Sequence, residues 1–385
     1  MCQERLNFKY ILEMHKSLLM VGAAQAMFFA VLLFKKKPRT KADFVLALWL
    51  ISLCIHLVIF YLILHYPVRY YFLGFIDATL LPMSGIWMFI YTKTLTTPTG
   101  EFNYKWILHF FSLLPANFTL IPFYISSKEK QIQFIQNLSG FNELLILGVI
   151  TNFIVFSAYV AASYFELKRH KKRIRFTFSY DHQIDLNWLI NLVYALMLMG
   201  ILVVALVPFL ISNRYYFLEI DLYLYLLQVV FIFILGYWGF NQGKIFQYPV
   251  QPLQEKNKGE VIKGNLQSED KLAKELHTFM VSNKPYLNSK LTLYDLASSL
   301  NWSSYNLSNH LNKFQNINFY EFINNYRVQE VKRKLKEDHN KFTILAIAFD
   351  CGFNSKASFN RIFKDVTGFT PTEYINNSLN SKEWA

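Results

Sequence analysis

The sequence predicts an all-α chain in two parts: an N-terminal bundle of about seven transmembrane helices, then a helical domain with two helix-turn-helix units joined by a long helix. Three observations predict this fold class. Long apolar runs follow one another through residues 1–241, the remaining sequence is polar, and a pattern of short helix, tight turn and helix occurs there twice. Hydrophobic residues make up 53% of the 385 residues and charged residues only 17%, whereas soluble domains carry about 25% charged residues.

The apolar part is divided by its polar loops into stretches that match the thickness of a bilayer. A crossing helix needs about 20 mostly apolar residues. Seven stretches meet this requirement, at about 14–34, 43–64, 72–92, 105–125, 141–165, 186–211 and 219–240. The third contains Asp77 and Pro82, and the fourth contains two prolines and Asn117. A count of six or eight is therefore left open.

Basic loops predict the orientation of these spans. Lys and Arg concentrate after the first span, at 35–41, and after the fifth, at 168–175. Because cytoplasmic loops carry the excess of Lys and Arg, the N-terminus is expected outside, and seven crossings place residue 242 onward in the cytoplasm. An even number would leave that tail outside.

The net charge of +13 is mostly explained by these loops. From position 243 onward there are 19 Lys/Arg and 14 Asp/Glu, a net charge of +5, so the apolar part carries the remaining +8. The positive-inside rule accounts for that excess without nucleic acid. Net charge is therefore weak evidence for DNA binding, and the function depends on motifs.

Polar side chains within the spans are the candidates for sensing a signal. Ionisable groups inside a membrane are costly and often functional, and we single out Asp77 as a possible intramembrane signal site. The alternative is that Asp77 lies hydrated near a span end or bonds to another helix. The other polar residues there are Gln25, His56, His109, Asn117, Asn152, Asn191 and Gln228.

Patterns typical of enzymes and metal proteins are absent from the sequence. The three cysteines, Cys2, Cys54 and Cys351, are isolated, without disulfide or metal-ligand spacing. No Gly-rich phosphate loop or nucleophile with a neighbouring base is found. We therefore expect no cofactor, no metal and no enzymatic activity.

A segment rich in Pro, Gly, Gln and Lys separates the two parts. Residues 242–267 lack helical or strand periodicity, which predicts a cytoplasmic linker. The domain boundaries expected from composition are 1–241 for the transmembrane domain, 242–267 for the linker, 268–378 for the polar helical domain and 379–385 for a tail.

The polar domain contains the helix-turn-helix pattern twice. Thr292 is expected to cap a short helix that carries Ala297, followed by a break at Asn301 and a second helix from Ser304. About 50 residues later Ala348 occupies the equivalent position, and Gly352 permits a left-handed turn. A helix from about Tyr320 to Lys336 joins the two units and, at 1.5 Å per residue, spans about 25 Å.

At these residues the stretch 291–374 resembles the DNA-binding domain of the AraC-type (arabinose-regulator) transcription factors. The match covers about a quarter of the chain. The motifs that carry it are Leu293-x-x-Leu296-Ala297, Phe322-Ile323-Asn324-x-Tyr326-Arg327-Val328, Ile347-Ala348-x-x-x-Gly352-Phe353-x-Ser355, Phe359-x-Arg361-x-Phe363-Lys364 and Thr367-Gly368-x-Thr370-Pro371-x-x-Tyr374. The soluble sensor domain usual in that family has no counterpart here.

The resemblance implies that residues near the start of each second helix read bases. Asn pairs well with adenine, and Arg or Lys with guanine. Lys313, Thr343 and Lys364 suit phosphate contacts. The first unit carries Asn where Arg often stands in the family. The implied base-reading residues are Tyr305, Ser308, Asn309 and Asn312 in the first unit, and Lys356, Ala357, Asn360 and Arg361 in the second.

These observations predict a multi-pass transcription regulator of the bacterial inner membrane, controlled by a signal sensed in its membrane domain. Its expected partners are double-stranded DNA and the lipid bilayer. RNA polymerase, a second copy of the chain in a homodimer, and an unidentified small-molecule or membrane signal are further partners that this architecture allows. The alternative is a membrane receptor or transporter bundle whose cytoplasmic tail only scaffolds protein partners.

Overall fold

The computed structural model describes residues 2–97, 102–119, 121–131, 142–180, 184, 186–212, 217–242, 266–313, 315–338 and 341–380. Within these residues the secondary structure is helical apart from one isolated β-bridge, so the all-α prediction is confirmed. The chain forms two compact units. The first comprises residues 1–167 and 186–250, and the second comprises residues 168–185 and 251–385.

The first unit consists mainly of long apolar helices, and six of the seven expected spans fall within them. Their bounds are α1 Cys2–Lys35, α2 Lys41–His65, α3 Gly74–Thr96, α4 Asn142–Thr177, α5 Asn187–Ser212 and α6 Phe217–Asn241. The last ten residues of α4 belong to the second unit. Residues Val45, Leu46, Trp49, Leu50, Leu53 and Leu57 of α2 are buried in the unit.

The expectation of about seven long membrane spans is not met. In the described part of the chain, three helical segments are long and apolar enough to cross a membrane: Lys16–Lys35, Lys41–His65 and Ile150–Thr177. Two further apolar segments, Asn187–Leu202 and Tyr225–Asn241, are shorter within the described residues. Asp77, Pro82 and Lys93 lie within the 23 residues of α3.

The prediction of a fourth spanning helix at 105–125 is wrong. This stretch begins as a 3₁₀ helix, Tyr104–Leu113, and continues as two single helical turns, Leu114–Phe118 and Ile121–Tyr124. Pro115 and Pro122 cause the interruptions, because proline lacks an N–H and clashes with the preceding turn.

The end of α6 is held by side chains from two other parts of the first unit. Lys36 lies 2.7 Å from the carboxylate of Asp43 and donates a hydrogen bond to the carbonyl of Gln242 at 2.9 Å. The indole N–H of Trp188, at the start of α5, donates to the side-chain oxygen of Gln242 at 2.8 Å. The C-terminal end of α6 is therefore fixed by the α1–α2 loop and by α5. Most of the expected linker, residues 243–265, lies outside the described residues.

The second unit is a polar helical domain built on two small cores. Its helices are α7 Leu266–Asn283, α8 Leu293–Ser299, α9 Ser304–Lys313, α10 Phe319–Asp338, α11 Ile344–Asp350, α12 Lys356–Thr367 and α13 Pro371–Asn380. The first core gathers α7, α8, α9 and the start of α10 around Leu296 and Leu307. The second gathers the rest of α10 with α11 and α12 around Val331 and Phe363. The 20 residues of α10 span about 30 Å.

Candidate nucleic-acid interface

The two halves of the polar domain begin with the same helix cap. The Thr292 hydroxyl accepts a hydrogen bond from the N–H of Asp295 at 3.1 Å, and the Thr343 hydroxyl accepts one from the N–H of Ala346 at 3.2 Å. Such a cap satisfies an N–H that the helix itself leaves without an acceptor. The two threonines stand 51 residues apart and start α8 and α11 at equivalent points.

The turns that follow are equivalent too. Asn301 and Gly352 have φ of 57° and 90°, in the left-handed region that Gly and Asn tolerate best. In each turn the next residue donates its backbone N–H back to the carbonyl of the buried alanine, Ala297 at 2.8 Å or Ala348 at 3.1 Å. The two helix-turn-helix units therefore share one local structure, as the sequence predicts.

The second helix of each unit buries the face that its apolar residues predict. Leu307 and Leu311 of α9 are fully buried, as are Phe359 and Phe363 of α12, which are spaced four residues apart. The opposite faces of α9 and α12 carry the polar side chains singled out from the sequence.

In α9 the structure separates Ser308 from the other three residues predicted to read bases. Tyr305 is exposed, and Asn309 and Asn312 are partly exposed. Ser308 is only 8% exposed, and both its hydroxyl and its carbonyl accept hydrogen bonds from the Asn312 amide, at 3.1 and 2.6 Å. Burial on the inner side of the helix does not favour Ser308 as a base-reading residue.

In α12 the four predicted residues all lie exposed in the first two turns. Lys356, Ala357 and Asn360 are open to solvent. The Arg361 side chain is 44% exposed, lies 3.9 Å from the Asp365 carboxylate, and donates a hydrogen bond to the hydroxyl of Tyr320 at 2.9 Å. The guanidinium is thus attached at one side to α10 while its outer side faces solvent.

The three residues suggested for phosphate contacts are all exposed. Lys313 lies at the end of α9 and Lys364 in the last turn of α12, and Thr343 caps α11. This places one candidate in the first helix-turn-helix unit and two in the second.

In the sequence Arg327 is distinguished only as part of a motif, whereas the structure makes it the polar centre of the domain. Its side chain is 1% exposed and hydrogen-bonded to surrounding carbonyl, hydroxyl and amide oxygens. Burial lowers the pKa of Arg327 to about 10, so it is charged at neutral pH. Only the motif Tyr326-Arg327-Val328 signalled this position, because a buried arginine has no distinctive pattern of its own.

A second buried polar group, Glu330, follows one turn of α10 later. Its carboxylate accepts hydrogen bonds from Arg333 at 2.7 Å and from Lys284 at 3.1 Å. The hydroxyl of Tyr286 also donates to it, at 3.4 Å. Hydrogen bonds from Arg333 are the largest cause that lowers the pKa of Glu330 to about 2. Lys284 directly follows α7, so this network links α7 to α10.

Asp77, the candidate signal residue, lies beside another polar side chain of the first unit. Its Oδ1 is 3.5 Å from His56 Nε2, and the amide of Gln228 donates to His56 Nδ1 at 3.0 Å. His56 and Gln228 are both buried. Three helices, α2, α3 and α6, therefore each contribute one polar residue to this group.

Among the described residues no set of three His, Cys, Asp or Glu side chains is placed to hold a metal ion. Cys54 and Cys351 are buried free thiols. Desolvation raises the pKa of Cys351 to about 12, which keeps it protonated and unreactive.

Similarity to known proteins falls on the two helix-turn-helix units. Residues 296–377 match the family model described as a helix-turn-helix domain. Proteins from Staphylococcus aureus strains COL and N315, both named uncharacterized HTH-type transcriptional regulators, are 34% identical over 89 residues, which is 23% of this chain. The match spans 12% of the length of those relatives. No solved structure matches the chain. The expected family is thus confirmed for this region, and residues 296–377 form an AraC-type helix-turn-helix domain.

Proposed function

We propose that this protein is a membrane-embedded transcription regulator that binds specific double-stranded DNA through α9 and α12. The observation that carries the proposal is the equivalence of the two helix-turn-helix units, whose two cores share α10. Each unit presents the exposed polar face of its second helix, and such helices read bases in the major groove. The family match points to a DNA-binding regulator and not to an enzyme.

The packing of both units on α10 supports their simultaneous use. Successive major grooves on one side of B-DNA are about 34 Å apart, so two such helices held by one scaffold can enter neighbouring grooves. The two cores pack on different parts of α10, so the recognition helices are held at a nearly fixed separation. One protein chain would then contact two adjacent half-elements.

The exposed side chains of the two helices differ in what they offer to DNA. We propose Tyr305, Asn309 and Asn312 as the base-reading residues of α9, and Lys356, Ala357, Asn360 and Arg361 as those of α12. Since Arg and Lys bind both guanine edges and phosphates, α12 should supply most of the affinity. The amides of α9 would add discrimination for adenine.

Anchoring in the membrane is supported by three segments long and apolar enough to span it. We propose a multi-pass protein of the bacterial inner membrane, with the N-terminus outside and the helix-turn-helix domain in the cytoplasm. The basic residues at 35–41 and at 168–175, of which the second group lies at the end of α4 and not in a loop, support this orientation. The relatives are named HTH-type transcriptional regulators, which supports the regulatory role.

The test uses the full-length protein in lipid nanodiscs and a library of random-sequence DNA. Bound DNA is recovered, sequenced and footprinted. We expect an enriched motif of two half-elements about 10 base pairs apart, each protected in the major groove. Asn360→Ala should lose the preference at one half-element, while the control Lys274→Ala, which removes an exposed charge on α7, should not. Recovery of DNA without any enriched motif, or protection of one groove only, would contradict the proposal.

We also propose that Asp77, with His56 and Gln228, belongs to the site that senses the signal. A group contributed by three helices responds to any rearrangement among them, and polar groups buried in a membrane are costly to keep without a role. The readout is a reporter gene under the selected DNA motif, compared at equal protein levels. Asp77→Asn should change the output about fivefold or more, the lower end of ordinary coupling between sites.

The conservative variant separates sensing from structure. Asp77→Glu retains the carboxylate and should restore most of the normal output. If Asp77→Asn and the native protein give the same output across growth conditions, Asp77 has no sensing role.

A further inference from the structure

The segment that follows the fifth apolar stretch makes an ordered contact within the second unit. The final helical hydrogen bond of α4 runs from the N–H of Phe178 to the carbonyl of Ile174. Phe178 then forms an antiparallel bridge with Thr292. The backbone N–H and the hydroxyl of Ser179 both donate to the carbonyl of Leu291, at 3.2 and 2.7 Å. This segment therefore pairs with the chain just before the first helix-turn-helix unit.

Ser179 also completes the hydrogen bonding of the buried Arg327. Arg327 Nη1 donates to the carbonyl of Ser179 at 2.7 Å and Nη2 donates to its hydroxyl at 3.0 Å. The three remaining donors bond to the carbonyls of Tyr286 and Asn288, at 2.8 Å each, and to the side chain of Asn324 at 3.2 Å. All five guanidinium N–H groups are thus used, two of them by Ser179. A buried charge that loses such partners is strongly destabilised.

The end of α4 buries one helical face. His170, Ile174 and Phe178 stand four residues apart and are 0%, 2% and 5% exposed. On another side, the Arg175 guanidinium lies 6.0 Å from the centre of the Tyr320 ring, within the range of a cation–π contact. The basic residues Lys168, Arg169 and Lys172 remain exposed. Backbone pairing, a cation–π contact and a buried polar cluster together define the contact.

We infer that Ile174–Ser179 is a docking segment and that the surface around Leu291, Asn324 and Arg327 is its receptor on the helix-turn-helix domain. The surface suits an extended segment with a small hydroxyl residue, because the Ser179 position meets two donors from Arg327 and one from Asn324, at 3.2 Å. The domain is then joined to the N-terminal part of the chain through α4 as well as through residues 242–267.

This second connection offers a direct route for a signal. Residues 142–177 form one continuous helix, and its docked end contacts α10, which carries both helix-turn-helix units. A displacement of α4 along its axis therefore acts on α10 without passing through residues 242–267. The consequence for gene regulation depends on the proposed function, whereas the docking does not.

Hydrogen exchange of the full-length protein in nanodiscs, without DNA, tests the docking. In the native protein the Ser179 amide and the peptide 284–292 should exchange slowly. The Trp side chain of Ser179→Trp cannot fit beside Arg327. This variant should accelerate exchange in the peptides 174–180 and 284–292 by about tenfold or more, equivalent to about 1.4 kcal/mol of lost protection. Lys172→Trp places the same indole at an exposed position of α4 and should leave both unchanged.

Ser179→Ala keeps the backbone pairing and removes only the hydroxyl, so it should give a smaller acceleration in the same two peptides. Docking is refuted if the native Ser179 amide exchanges at the rate of an open chain, or if Ser179→Trp changes 174–180 but not 284–292. Because no DNA is present, absence of DNA binding by this protein would leave the result intact.

Discussion

Arg361, in the second turn of α12, donates a hydrogen bond to the hydroxyl of Tyr320 on α10, 2.9 Å away. The two residues belong to different helices and stand 41 positions apart. The bond restricts a long side chain that would otherwise sample many rotamers, and an arginine held in position loses less entropy on binding. Tyr320 is therefore a positioning residue for the proposed base-reading Arg361.

We first predict the effect of Arg361 on sequence recognition. Arg361→Ala should weaken binding to the selected DNA motif about 5- to 150-fold, because a bidentate arginine–guanine pair gives about 1–3 kcal/mol of discrimination. Binding to random DNA should fall much less. Titration of both DNAs with the full-length protein measures this, and an equal loss on both would identify Arg361 as a phosphate contact.

The Tyr320 hydroxyl should matter only while Arg361 is present. Tyr320→Phe should weaken specific binding about 2- to 12-fold, since one such hydrogen bond is worth about 0.5–1.5 kcal/mol. In the Arg361→Ala background the same change should have no effect, which a double-mutant cycle detects. Tyr294→Phe, which removes a hydroxyl from an exposed tyrosine of α8, is the matched control. Equal effects in both backgrounds would exclude the positioning role.

Lys364 should behave differently from Arg361. Lys364→Ala is expected to weaken binding to specific and random DNA alike and to reduce the slope of log affinity against log salt by about one, as for one lost phosphate contact. Titrations at several salt concentrations provide the slope. An unchanged slope would show that Lys364 does not contact the phosphates.

The Glu330 network predicts how the stability of the helix-turn-helix domain depends on pH. The pKa of Glu330 is lowered from 4.5 to about 2, so its stabilisation is complete above pH 4.5 and is lost as the pH falls towards 2. Glu330→Gln should cost about 1–3 kcal/mol at neutral pH and flatten the loss of stability between about pH 5 and pH 2. Exchange of core amides at each pH measures this. A variant with the same pH dependence as the native protein would show that Glu330 does not carry it.

Two glycines with similar backbones provide a matched pair. Gly352 and Gly368 have φ of 90° and 81°, so alanine at either position costs about 1–2 kcal/mol of left-handed strain. A Cβ on Gly352 would also collide with the carbonyl of Tyr286 and approach Arg327 Nε to 3.0 Å, whereas nothing lies within 4 Å at Gly368. Gly352→Ala should therefore destabilise the domain by about 1–3 kcal/mol more than Gly368→Ala. Equal losses would mean that the contact relaxes freely.

The orientation in the membrane can be checked with single cysteines. In a Cys2→Ser background, cysteines at the exposed positions Lys37 and Lys172 should resist a membrane-impermeant thiol reagent in intact cells, and a cysteine at the exposed Lys128 should react. All three should react after the membrane is opened. Labelling at Lys37 and Lys172 with protection at Lys128 would reverse the proposed topology.

Local patterns allowed much of the helix-turn-helix domain to be predicted from sequence. The Thr292 and Thr343 caps, the left-handed Gly352 and the buried Phe359 and Phe363 all follow from rules that act within a few residues. The predicted fourth span is wrong for a local reason too: the stretch is apolar on average, but prolines at 115 and 122 interrupt its helix. The exposed faces of α9 and α12 were also predictable from the four-residue spacing of their buried residues, with Ser308 as the exception.

The sequence by itself determined the division into apolar and polar parts, the two repeated units and the family of the second part. Only the tertiary structure decided that Arg327 is buried, that Ser179 supplies two of its acceptors and that Tyr320 holds Arg361. These contacts join residues 41 to 148 positions apart. Sequence periodicity cannot predict contacts between residues so far apart in the chain. The energy of a buried charge depends on which oxygens the fold brings around it and not on its neighbours in the sequence.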